Sequence, residues 1–251
     1  MKNIILLVAV ALFSQLTLAH PGEEARVVIE SESQSSFQAG SFEYAFQLVD
    51  TSVSKVITEN DLLENQTKKM HMIVYDPSLT EFTHVHPIFD GKIWKVTLNL
   101  PVNGNYFVWS QGELLDTTEF SALTRVQVVN GKLENTKAAL GDVRKITVGK
   151  TTIELGKAKL KVGKMAMLDF KVTREDGQAP VITPYLGALA HVIATPADGD
   201  ELIHVHAQAT SKPNSGMLHV TFPVEGEFRL WVQFIEHDQL VVMPLSVVVS
   251  K

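Results

Sequence analysis

Apolar and polar residues alternate with a period of two along most of the chain. Residues 165–172 and 228–234 alternate in this way, and residues 241–249 form a largely β-branched run. Such patterns predict β-strands with one buried face. Turn-forming pairs separate the strands at short intervals, at Asp90-Gly91, Asn103-Gly104, Asn130-Gly131, Asp176-Gly177, Asp198-Gly199 and Glu225-Gly226.

Helical periodicity is nearly absent after the first 19 residues. Residues 58–69 are the exception, where Thr58-Glu59-Asn60-Asp61 is typical of the start of a single helical turn. Short strands and frequent turns predict an all-β fold, with immunoglobulin-like or cupredoxin-like β-sandwich domains of about 110 residues.

The pattern of histidines occurs twice. Both copies have the spacing His-x12-His-x-His, at His71, His84 and His86 and again at His191, His204 and His206. A Pro-Val-x-Gly segment and a Trp-x-Gln segment follow each copy, at 101–104 and 109–111 and at 223–226 and 231–233. Repeats this long indicate tandem domains rather than a solenoid. We expect a first module at 20–132, a linker at 133–142 and a second module at 143–251; the linker has few apolar residues, so we expect it to add little to a core.

The N-terminus has the features of a secretory signal. Lys2 precedes an apolar run at 4–13, and Thr17-Leu18-Ala19 offers a cleavage position near Ala19. The run is shorter than the ~20 residues that cross a bilayer, and no later segment predicts a membrane span. We therefore expect a periplasmic or secreted bacterial protein.

Composition excludes several functions. The chain contains no cysteine, so disulfides, thiolate zinc sites, blue-copper sites and iron–sulfur clusters are ruled out. The formal net charge is −6, and no basic cluster is interleaved with aromatic residues, so nucleic-acid binding is not expected. The lysines at 157–164 alternate with small or apolar residues and are typical of a solvated strand face.

The histidine spacing predicts a shared strand face. A hairpin with a four-residue loop at 76–79 would pair His71 with His84, and an equivalent loop would pair His191 with His204. Opposite residues, and residues two apart on one strand, share a face. Three imidazoles would then converge, in the manner of a zinc or copper site. Alternatively the face points into the sandwich, where the histidines would bond to backbone carbonyls.

The second module adds two histidines, His219 and His237, whose aligned positions in the first module are not histidine. We predict His219 as an additional metal ligand, which would make the second site tighter, and His237 as an ordinary surface residue. Met70, Met72 and Met217 could bind Cu(I), although methionines more often fill cores. Signal cleavage would make His20 the N-terminal residue, where its amine and imidazole could chelate copper together.

Three segments resemble those of a poorly characterised group of bacterial secreted proteins. They are Met70-His71-Met72, Phe82-Thr83-His84-Val85-His86-Pro87 and the stretch from Pro101 to Trp109. The second copy is similar but has Leu202 in place of Phe82 and Ala207 in place of Pro87. The resemblance implies an all-β sandwich involved in metal handling at the cell envelope, often with copper.

We therefore expect a copper carrier or buffer, with zinc as the alternative metal and an envelope protein as a further partner. The alternative is a non-catalytic interaction module for a protein or glycan, with structural histidines. Enzyme activity is not expected, because Glu81 and Glu201 lie on the opposite strand face from the histidines and no other general base accompanies them.

Overall fold

The computed structural model describes residues 25–31 and 36–251. The predicted signal segment and His20 lie outside the described residues. Within these ranges almost all of the regular secondary structure is β-strand, and no helix there combines the length and apolar character needed to cross a bilayer.

The first module forms two packed sheets. Its strands are β1 (Val27–Ser31), β2 (Ser36–Gln38), β3 (Gly40–Asp50), β4 (Lys55–Ile57), β5 (Met70–Tyr75), β6 (Phe82–Val85), β7 (Ile88–Phe89), β8 (Trp94–Leu100), β9 (Gly104–Glu113) and β10 (Glu119–Val129). One sheet has the order β1-β3-β8-β7, with β4 beside β3, and the other has the order β2-β10-β9-β5-β6.

The second module repeats this plan. Its strands are β11 (Lys145–Val148), β12 (Thr151–Leu155), β13 (Leu160–Lys161), β14 (Met165–Arg174), β15 (Ile182–Thr183), β16 (Ala190–Pro196), β17 (Ile203–Ala209), β18 (Ser215–Thr221), β19 (Gly226–Glu236) and β20 (Gln239–Ser250). They follow the order β11-β12-β14-β18-β17-β16-β19-β20-β13, with β15 beside β19.

Each module has its own hydrophobic core. Tyr44, Phe46 and Trp94 lie in the first core, and Phe170 and Phe228 lie in the second. Alternate residues of the strands supply these side chains, as a period of two requires. The prediction of two tandem β-sandwich domains is confirmed.

One proline explains a difference between the copies. In the first module His86 is followed by Pro87, which has no backbone N–H for a ladder, and the strand is divided into β6 and β7 there. In the second module Ala207 occupies the equivalent position, and its backbone N–H does not interrupt the strand. Strand β17 therefore continues from β16 to β18 and joins the two halves of the sandwich in one sheet.

The helical turn predicted within residues 58–69 is confirmed as a 3-10 turn at Glu59–Asp61. The Asp61 carboxylate accepts a hydrogen bond from the backbone nitrogen of Thr58 at 2.9 Å, which fixes the start of the turn.

The expectation that the segment 133–142 would contribute little to a core is wrong at Leu140. The Leu140 side chain is buried, and the backbone carbonyl of Leu140 accepts a 2.7 Å hydrogen bond from the hydroxyl of Ser246. The backbone nitrogen of Ala138 also bonds to the carbonyl of Ser78 at 3.0 Å, so the segment is attached to both modules. A single apolar residue is enough to anchor the linker, because both modules offer a surface that covers its side chain.

Candidate metal centre

Strand β5 is buried on both faces. Met72 and Val74 point into the first core, so His71, Ile73 and Tyr75 point away from it. The second module covers this outward face, and every residue of β5 is buried. Strand β16 is buried throughout in the same way. The histidine face therefore points out of its own sandwich and into the boundary between the modules.

A third hydrophobic cluster fills this boundary. It draws on both modules and on the linker, with Ile73, Tyr75, Leu79, Phe107, Trp109, Leu140, Ile193, Leu202 and Trp231. Phe82 stacks on Trp231 at 4.5 Å between ring centroids, and the Tyr75 hydroxyl donates to the carbonyl of Gly199 at 2.8 Å. Both copies of the repeated tryptophan thus serve the contact between modules.

The predicted hairpin register is wrong by two residues. In the second module His191 faces His206, and His204 faces Ile193. In the first module His84 likewise faces Ile73 rather than His71. A shift of two residues leaves every side chain on the same face, so the three histidines of each copy still lie together.

In the first module, hydrogen bonds within the loop account for this shift. The loop after β5 contains six residues, because the Asp76 carboxylate accepts hydrogen bonds from the backbone nitrogens of Thr80 and Glu81, both at 2.9 Å. Leu79, with φ of 61°, turns the chain at the centre of the loop.

The histidines form two groups of similar geometry. In each group the candidate ligand atoms all lie within 4.8 Å of one another, and the groups are His71, His84 and His86 and then His191, His204 and His206. Below they are called the first and second triads. Nδ1 of His71 lies 3.1 Å from Nε2 of His84, and Nδ1 of His191 lies 3.1 Å from Nε2 of His204. Two nitrogens bound to one tetrahedral ion would be roughly 3.4 Å apart, so the arrangement fits a metal.

The third histidine of each triad has an unpartnered nitrogen. Nε2 of His86 and Nε2 of His206 are buried, with no hydrogen-bond partner among the described residues. A buried polar atom without a partner costs free energy unless something binds it. The same atom is affected in both copies, so these nitrogens are the candidates for the third ligand.

Backbone carbonyls orient the first histidine of each triad. Nε2 of His71 donates to the carbonyl of Asn65 at 3.2 Å, and Nε2 of His191 donates to the carbonyl of Tyr185 at 3.0 Å. A carbonyl can only accept, so Nε2 carries the hydrogen and Nδ1 presents its lone pair to the triad. Metal-bound histidines are commonly held in this way by an outer hydrogen bond.

The second histidine of each triad bonds to a glutamine of the other module. Nδ1 of His204 donates to Oε1 of Gln111 at 3.0 Å, and Nε2 of Gln233 donates to Nδ1 of His84 at 3.2 Å. These glutamines are the last residues of the two Trp-x-Gln segments. The repetition of these segments is visible in the sequence, but a role for the glutamines is not, although each lies two residues after an interface tryptophan and so shares its face.

The two triads differ in their hydrogen bonding. His204 donates through Nδ1, so its Nε2 lone pair faces the Nδ1 lone pair of His191, an arrangement that a cation between them would stabilise. His84 accepts at Nδ1, so its Nε2 carries the hydrogen. That hydrogen points at Nδ1 of His71 and lies where a cation would bind in the first triad. The amide nitrogen of Gln111 also donates to the hydroxyl of Ser121 at 3.2 Å, which holds this side chain beside His204.

Burial keeps the imidazoles neutral. Desolvation is the largest cause of the lowered pKa in all six triad histidines. The pKa is lowered to about 4 for His86, to about 4 for His191 and to about 3 for His206. The pKa of His71 is lowered too, and burial lowers those of His84 and His204 well below the ordinary value. Neutral imidazole is the form that binds metals.

A cavity of about 60 Å³ opens beside the triads and is lined by residues of both modules. His71, His204 and His206 border it, as does Glu119, and the space can hold a water molecule or an ion. Burial raises the pKa of the Glu119 carboxyl, with a further contribution from Glu113. The sequence alone does not point to Glu119, because nothing in its sequence neighbourhood places it near the histidines.

Other predicted residues lie elsewhere. His219 is on β18 and does not belong to the second triad, since it lies outside both groups of ligand atoms. Met70 and Met72 are buried in the first core, on the face opposite His71, and Met217 is outside the triads. His237 is exposed, as predicted, and contacts Glu236.

Comparisons with known proteins identify no function. Residues 146–251 match DUF8832, a domain of unknown function. This match covers most of the second module and less than half of the chain. No curated protein matches the sequence.

Solved structures that resemble the chain include two kinds of β-domain protein. Fibronectin(III)-like modules of CbhA from Clostridium thermocellum are 12% identical, with 89% of this chain and 94% of that chain covered and a TM-score of 0.23. A bacterial ice-binding adhesin is 10% identical, with 90% of this chain and 65% of that chain covered and a TM-score of 0.26. These similarities are too distant to indicate a ligand.

Proposed function

We propose that this protein binds metal ions at the two triads, and that it is a periplasmic or secreted copper carrier or buffer without catalytic activity. The observation that carries the proposal is the unpartnered, buried Nε2 of His86 and of His206, each beside two imidazole nitrogens 3.1 Å apart. Histidines that served only to join the modules would have this atom bonded or exposed to solvent.

The donor set supports copper. Imidazole suits copper and zinc, and Cu(II) stands highest in the affinity order of divalent ions. Among the described residues, the ligand groups contain histidine alone, without the carboxylates that Mg²⁺ and Ca²⁺ require. Enclosure between two modules favours retention of an ion over rapid turnover at an open site.

The alternative is a non-catalytic interaction module whose histidines are structural. The hydrogen bonds from His71 to Asn65 and from His191 to Tyr185 would be compatible with it. In that case metal would neither bind stoichiometrically nor raise the melting temperature.

Metal analysis decides between the two. Untagged protein purified from a bacterial periplasm should contain copper, and the metal-free protein should take up Cu(II) and Zn(II) stoichiometrically. Replacing His204 and His206 with Ala should reduce the uptake, whereas His237→Ala, which changes an exposed histidine of the same module, should leave it intact. Equal uptake by all three proteins would contradict the proposal.

A further inference from the structure

Histidine rings of the two triads lie nearly as close to each other as the rings within one triad. The ring of His204 is 5.3 Å from that of His71 and 5.4 Å from that of His84. Within the first triad, the rings of His71 and His84 are also 5.3 Å apart. The two triads therefore form a single cluster of imidazoles.

Each triad also depends on the opposite module. Gln111 of the first module bonds to His204, and Gln233 of the second module bonds to His84. The glutamines fix which nitrogen of these histidines carries the hydrogen, and hence whether Nε2 can bind a metal. A single module would supply three histidines but lack the residue that orients one of them.

We infer that the triads form one binuclear metal centre at the boundary between the modules, which binds two copper ions as an interacting pair. The inference rests on the proposed function and specifies its site. A metal ion lies about 3 Å from the centre of a bound imidazole ring. Since the rings of His84 and His204 are 5.4 Å apart, ions bound to them would be separated by no more than roughly 12 Å.

Two consequences follow for binding. Cations held this close in a buried site repel each other strongly, because the surroundings screen charge less than water does. We expect the second ion to bind at least tenfold more weakly than the first. The second triad should fill first, since its two inward lone pairs accept a cation directly, whereas His84 must first move its hydrogen from Nε2 to Nδ1.

The test compares the full chain loaded with one and with two equivalents of Cu(II), using frozen-solution EPR. One equivalent should give the signal of an isolated ion. Two equivalents should give a signal broadened by dipolar interaction between the ions. This comparison needs no variant, so it does not depend on the folding of altered proteins.

Two matched variants separate the triads. His84→Ala with His86→Ala retains the second triad, and His204→Ala with His206→Ala retains the first; each should bind one copper and show an unbroadened signal. Circular dichroism checks that they keep the β-type spectrum, and Asn replaces Ala if they do not.

The possible results are distinct. If two ions bind to the full chain with a spectrum equal to the sum of the variants' spectra, the sites are independent and the inference is overturned. It is also overturned if one ion binds and requires histidines of both triads. Absence of any bound copper would instead refute the proposed function itself.

Discussion

Nδ1 of His204 donates a hydrogen bond to Oε1 of Gln111, a residue 93 positions earlier in the chain, at 3.0 Å. The contact crosses from one module to the other and leaves Nε2 of His204 facing His191. Its counterpart joins Gln233 to His84 with the opposite direction of donation. Because these two hydrogen bonds run in opposite directions, the effect of a glutamine substitution on one triad can be compared with its effect on the other.

Replacing Gln111 with Ala should weaken copper binding at the second triad by about 10- to 100-fold, the usual effect of losing a residue that orients a ligand. The measurement is a Cu(II) titration in the His84→Ala and His86→Ala background, where only the second triad remains. Gln233→Ala in the same background is the control and should change the affinity little. Equal effects of the two changes would contradict the assignment.

Gln233→Glu should strengthen binding at the first triad. A carboxylate can only accept from Nδ1 of His84, so it would favour the form in which Nε2 is free to bind metal. Titration in the background that lacks His204 and His206 should show an affinity higher by about tenfold. A lower affinity in the glutamate variant would mean that the tautomer of His84 does not limit binding.

Gly199→Ala should disturb the boundary between the modules. Gly199 has φ of 82°, and a Cβ there would lie 2.7 Å from the Phe107 ring. Gly177→Ala is a matched control, because its φ is 74° and nothing lies within 4 Å of its Cβ position. Both variants should lose about 1 kcal/mol to backbone strain, and Gly199→Ala should lose a further ~1–3 kcal/mol to overpacking. Denaturant unfolding measures the difference; similar losses would show that Phe107 can move aside.

Acid should destabilise the metal-free protein. Burial lowers the pKa of His86 and of His191 to about 4, while these residues titrate near 6.5 in the unfolded chain. Below pH 6.5 the unfolded chain therefore binds more protons, so the free energy of unfolding falls as pH falls toward 4. His191, which has no exposed surface, would by itself contribute a loss of about 2 kcal/mol at pH 5. Urea midpoints at pH 7.5, 6 and 5 should decrease in that order, and a constant midpoint would contradict the burial of the triads.

Copper binding should persist at lower pH than the histidine type alone suggests. Affinity would begin to fall near pH 6.5 for ordinary imidazoles, but the lowered pKa values move proton competition to about pH 4–5. Copper should consequently raise the melting temperature at pH 5.5 as well as at pH 7.5. His204→Ala should reduce this rise at both values, and a rise that vanishes between pH 7 and 6 would indicate exposed, ordinary histidines.

The sequence determined the local structure and the face of the histidines. Alternation with a period of two defined β14, β19 and β20, and the duplicated spacing revealed two modules. Because side chains two apart share a face, and because a register shift of two residues changes no face, the grouping of His84 with His86 was predictable even though the strand partners were assigned wrongly.

Only the tertiary structure decided what lies opposite that face. Residues of β5 alternate between the first core and the boundary with the second module, and both sides are apolar, so the pattern indicates burial without identifying the covering surface. The positions of Gln111 and Gln233 beside histidines of the other module depend on how two complete sandwiches pack together. That packing arises from contacts between residues about a hundred positions apart, which local periodicity and spacing do not encode.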